Sequence, residues 1–145
     1  MTDFCSLHIS SDIQAALPSG FLRTPGNVNL VFIDNESAER RASFKRLRKK
    51  GVFRQTAALR YHWSFSSEGF VHGFDVMEHV TWVLDQVQPG FLLSKLKDSG
   101  YRSWLQFYWE GNGTGGGPDI TPEIAAVLVQ HKVNLLFGFY LKVSN

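Results

Sequence analysis

Apolar and polar positions alternate most strictly over residues 59–66, where Leu59, Tyr61, Trp63 and Phe65 interleave with Arg60, His62, Ser64 and Ser66. A period of two puts each set on its own face, so the segment predicts a half-buried strand with an aromatic inner side. The same period returns near the start, where Cys5, Leu7 and Ile9 oppose Phe4, Ser6 and His8. It returns again over 102–110, where Leu105, Phe107 and Trp109 oppose Trp104, Gln106 and Tyr108. Residues 28–33, after a turn at 24–27, and the long run 133–143 complete the predicted strands.

Helical spacing is clearest at Val76, Val80, Val83 and Val87, with Met77 and Leu84 flanking, Asp75 placed to cap and Pro89-Gly90 to stop it. A second helix start is written in Thr121-Pro122-Glu123, with proline at the first position and an acid near the positive dipole end. Shorter helices are predicted over 11–17, stopped by Pro18 and Gly20, and around Phe91, Leu92 and Leu96, ended by Gly100. A further one over 37–50, ended by Gly51, has only Ala38, Ala42, Phe44 and Leu47 as apolar residues and would be largely solvated. Interspersed elements of this order predict an α+β fold, a mainly antiparallel sheet of four or five strands with helices packed on it.

Composition bounds this picture without changing it. A chain of 145 residues, 43% hydrophobic, with twelve Phe, four Trp and four Tyr, fits one domain over residues 1–145 with a real core. No apolar run approaches the roughly 18 residues of a membrane span, and the first residues lack the pattern of a signal peptide. The single cysteine, Cys5, permits no internal disulfide and reads as a buried, inert thiol. The expectation is a cytoplasmic protein with no membrane partner.

Charge is informative because it is uneven. Residues 40–60 hold nine of the fifteen basic residues, Arg40, Arg41, Lys45, Arg46 and Lys49 among them, and no acid. The remainder holds six basic residues against all thirteen acids, a net of −7. A basic run of this kind is either a solvated face or a phosphate-binding segment.

Candidate chemistry is sparse. The stretch Gly111-Asn-Gly113-Thr-Gly-Gly116 matches the spacing of a dinucleotide loop, but Pro118 and Pro122 delay the helix that should hold the pyrophosphate. No acid follows Glu123, and only 29 residues remain after Gly116. The loop therefore reads as a connection. His72, Asp75 and His79 invite a metal reading, yet Asp75 is better used as the cap and Glu78 points about 100° away from His79. His8 and His62 fall on the less apolar faces of their strands, and Ser66-Ser67 lacks a nucleophile elbow. Trp82 falls on the polar side of its helix beside Glu78 and Asp85. There it is either an interface anchor ringed by acids or a residue tucked beneath a loop.

Several short motifs resemble the bacterial domain of unknown function 4279 family. These are His62-Trp63-Ser64-Phe65-Ser66-Ser67, then Glu78-His79-Val80-Thr81-Trp82-Val83-Leu84, then Gln88-Pro89. The stretches Ile120-Thr121-Pro122-Glu123-Ile124, Phe137-Gly138-Phe139-Tyr140 and the initial Cys5-Ser-Leu-His-Ile-Ser10 fit as well. The resemblance covers residues 4–17 and 60–143 and leaves 27–58, with the basic segment, as an elaboration. It implies a fold more than a mechanism, and by analogy an immunity protein of the kind encoded beside secreted toxins.

Together these readings assign no catalytic residue, cofactor or metal. They point to a protein-binding module, an immunity protein that neutralises a bacterial toxin by occlusion. Trp82, Glu78, Asp85, Arg40, Arg41, Lys45, Arg46 and Lys49 are the candidate contact residues. The alternatives are a nucleic-acid-binding accessory using residues 40–60, and an enzyme assembled from scattered groups such as His62, His79 and Glu78.

Overall fold

The computed structural model describes residues 3–35, 59–89, 91–111 and 117–141. Five strands form one sheet, β1 (Phe4–Ser11), β2 (Val31–Asp34), β3 (Tyr61–Ser66), β4 (Arg102–Gly111) and β5 (Asn134–Leu141), in the order β2-β3-β1-β4-β5. All pairings are antiparallel except β4 with β5. A parallel pair cannot be joined by a tight turn. Helix α2 (Pro122–His131) lies in the chain between these two strands and carries the crossover. The fold is α+β, as the element order predicts.

Register explains which side chains meet. Leu7 stands opposite Phe65 on one neighbour and Leu105 on the other, and Ile9 opposite Trp63. These residues, with Cys5 and Phe107, make the inner face. Helix α1 (Val76–Asp85) packs on it through Val76, Val80 and Val83, and Leu93, Leu96 and Ile124 extend the same core. Asp75 caps α1, accepting from the Met77 N–H at 3.0 Å, and Thr121 caps α2 in the same way through Ile124. Both caps stand where the sequence places them. Trp63 and Val80 are buried, as is Cys5, whose thiol is pushed up to about 12 by burial.

One expectation needs correction and two gain detail. No helix forms over 11–17, where the chain makes bends. The Ser11 hydroxyl does accept from the Ile13 and Gln14 N–H groups, but Pro18 limits the segment to too few residues for a stable helix, and Ile13 is exposed. The segment around Leu96 is a 3₁₀ helix, Leu93–Ser99, which buries Leu93 and Leu96 at its period of three and ends on left-handed Gly100. Trp104, assigned to the outer face of its strand, does lie there opposite His8, yet it is only 3% exposed. The predicted helix over 37–50 falls outside the described residues.

Gly138 in β5 lies under the Tyr108 ring, where an added Cβ would stand 2.7 Å from Cδ1. Lys132, at the end of α2, has φ of 50°, a left-handed conformation that costs a non-glycine residue about 1–2 kcal/mol.

Candidate partner-binding surface

The predicted contact patch on α1 is partly assembled. Glu78 and Asp85 are exposed. Trp82 is half-buried, because Phe70 from the turn after β3 stacks on it with centroids 4.6 Å apart. A shallow depression of about 380 Å³ lies beside the pair, lined by Asn27, Asn29 and Gln86 among others. The tucked and the exposed readings of Trp82 thus both hold in part. Arg40, Arg41, Lys45, Arg46 and Lys49 lie outside the described residues. Arg60, counted with that basic run, is committed elsewhere: its Nε stands 3.2 Å from Asp34 Oδ1 and its guanidinium lies over the Tyr61 ring.

His79, in the first turn of α1, is part of the core. Its Nδ1 lies 2.7 Å from the Ser67 hydroxyl and its Nε2 2.6 Å from the Gly73 carbonyl. The Ser67 oxygen in turn accepts the Cys5 N–H at 2.9 Å. Both ring nitrogens are used, so His79 is not free to ligate a metal with His72 and Asp75. Among the described residues no group of three or more His, Cys, Asp or Glu side chains is placed to hold a metal ion.

Sequence reasoning missed a polar cluster on the outer face of the sheet. His8 Nε2 lies 2.8 Å from Ser6 Oγ, and His8 Nδ1 lies 3.1 Å from His62 Nε2. Trp104 stacks on His8 nearly parallel, with centroids 5.3 Å apart. Burial, with the neighbouring His62 charge adding to it, pulls the His8 pKa down to about 4, and burial lowers His62 too. The order serine, histidine, histidine matches that of a nucleophile, its base and an orienting group. Here it does not make a reactive centre. Ser6 is buried mid-way along a strand paired on both sides, so its neighbouring N–H groups serve the ladders and, among the described residues, none of the strand's own donors is left to stabilise an oxyanion. Such pairs in alternate register are what β1 and β3 supply at no extra sequence signal.

The largest anomaly is at the sheet edge. Strand β2 is outermost, and among the described residues no strand pairs along its far side. Leu30, Val31, Phe32 and Ile33 are 41%, 51%, 49% and 37% exposed. Edge strands usually carry lysine, proline or a bulge that blocks further pairing, and a bare apolar edge is a template for another strand. The residues were legible as a strand; their place at the edge was not. Phe32 is steadied by Trp63, with centroids 5.3 Å apart.

Comparison with models of known protein families, with curated proteins and with solved structures finds no match to this chain. No helix among the described residues is long and apolar enough to cross a membrane.

Proposed function

We propose that this protein is a protein-binding module, a cytoplasmic immunity protein that neutralises a cognate bacterial toxin by occlusion. The observation that carries this reading is the exposed apolar edge of β2. A partner strand added there would gain main-chain hydrogen bonds from the ladder. Val31 and Ile33 on one face and Phe32 on the other would supply selectivity. Occlusion needs no chemistry of its own, in keeping with a Ser6–His8–His62 cluster that lacks an oxyanion site. The charge layout supports the same reading. A toxin that grips nucleic acid is itself basic, and a cover whose charge outside residues 40–60 is −7 would associate with it faster. A specific interface of this kind covers about 800 Å² on each partner. Trp82, with Glu78 and Asp85, offers a second anchor for it.

The test is to express the neighbouring open reading frame in a naive bacterium with and without this protein. The reading expects growth arrest that co-expression relieves. A neighbour that is harmless, or kills equally in both cases, removes the immunity reading and favours nucleic-acid binding through residues 40–60.

A further inference from the structure

We propose that a cleft at the start of β4 is a binding site for a small phosphorylated ligand. The open cleft holds about 960 Å³ and is lined by three elements: the 3₁₀ helix Leu93–Ser99, the first residues of β4, and Lys132 at the end of α2. That volume lies within the range of small-molecule sites, roughly 300–1,000 Å³. Its charge is what singles it out. The described residues include six lysines and arginines and eleven acids, and four of those six cations, Lys95, Lys97, Arg102 and Lys132, line this one cleft beside a single acid, Asp98. Among the described residues Lys95, Lys97 and Lys132 enter no ion pair. Lys95, Lys97 and Lys132, gathered in one concavity, repel one another unless an anion joins them.

Two further observations point the same way. Lys132, the left-handed cap that ends α2 with its N–H bonded to the Leu128 and Val129 carbonyls, is held with its cation beside the cleft by the helix end. Trp104, a wall of the cleft, has a buried indole N–H with no acceptor among the described residues. Ser94 and Ser103 add hydroxyl donors at the same place. A net charge of +3 on the lining side chains matches a di- or trianion better than a single carboxylate. A cleft of this size also suits a discrete phosphorylated molecule better than an extended nucleic-acid strand. This site is independent of the β2 edge and stands or falls without it.

Titration calorimetry with inorganic pyrophosphate and with ADP tests it, using the full chain. The wild type is compared with a Lys97→Gln, Lys132→Gln pair and with an Arg46→Gln, Lys49→Gln pair in the basic segment. The proposal expects saturable binding that weakens as salt rises from about 50 to 200 mM. The cleft pair should raise Kd by about tenfold or more, while the segment pair changes it less than about twofold. Tighter binding of ADP than of pyrophosphate would identify a nucleotide, and equal binding a phosphate group alone; either supports the site. No saturable heat with either probe at millimolar concentration overturns it. So does loss of binding in the segment pair with the cleft pair unaffected. Both pairs replace lysine or arginine by an uncharged amide, and unchanged urea midpoints confirm that folding is not the cause.

Discussion

Ser67 and His79 hold each other in the core, with the serine hydroxyl 2.7 Å from the histidine Nδ1. The tautomer follows from the partners. Nε2–H donates to the Gly73 carbonyl, so Nδ1 accepts from Ser67, whose oxygen accepts the Cys5 N–H. One serine therefore joins β1, the turn after β3 and α1. Ser67→Ala would leave the Cys5 N–H and His79 Nδ1 buried without partners, at a cost of about 2–4 kcal/mol. A urea midpoint unchanged from wild type would show the clasp to be incidental.

The outer-face histidines make stability depend on pH. The His8 pKa is about 4 in the folded protein against an ordinary 6.5. The unfolded chain thus binds the proton first. The contribution is fully present above pH 6.5 and is lost as pH falls through about 4. At a half-buried site, with allowance for solvent screening, it amounts to about 1–3 kcal/mol. Urea midpoints of wild type and His8→Gln, followed from neutral to acid pH, should converge as the wild type loses this term. Parallel profiles would mean that His8 titrates normally.

Gly138 should resist substitution while Gly26 tolerates it. A Cβ at Gly138 meets the Tyr108 ring, which is itself stacked on Phe4 with centroids 4.7 Å apart, whereas nothing lies within 4 Å of a Cβ at Gly26. Gly138→Ala should destabilise by about 1–3 kcal/mol. Gly26→Ala should be neutral or stabilise by up to about 1 kcal/mol. Thermal unfolding of the two variants decides; equal midpoints would contradict the packing at Tyr108.

Local pattern carried the fold a long way. The alternation around Trp63, the valine spacing of α1 and the caps Asp75 and Thr121 are all near-neighbour relations, and each stands where the sequence puts it. What the sequence could not show are relations set by strand order. His8 and His62 are 54 residues apart and meet only because β1 and β3 are neighbours. Lys132 reaches the cleft of Lys95 and Lys97 through the parallel placement of β5 beside β4. The β2 edge has the same origin, since residues 28–33 look alike whether central or outermost. The burial of His79 was hidden for another reason: a buried histidine satisfied by Ser67 and a carbonyl leaves no trace in helical periodicity.

The central claim is that the apolar edge of β2 receives a protein partner. Val31 tests it best: it is 51% exposed on the outermost strand, so Val31→Lys should disturb folding by no more than about 1 kcal/mol. A lysine there is also the device by which natural edges refuse another strand. The measurement is the dissociation constant between this protein and the product of the neighbouring gene, for wild type and Val31→Lys. The account predicts tight binding by the wild type and a loss of about a hundredfold in the variant, near 2.7 kcal/mol. Equal affinity for the two proteins would contradict it.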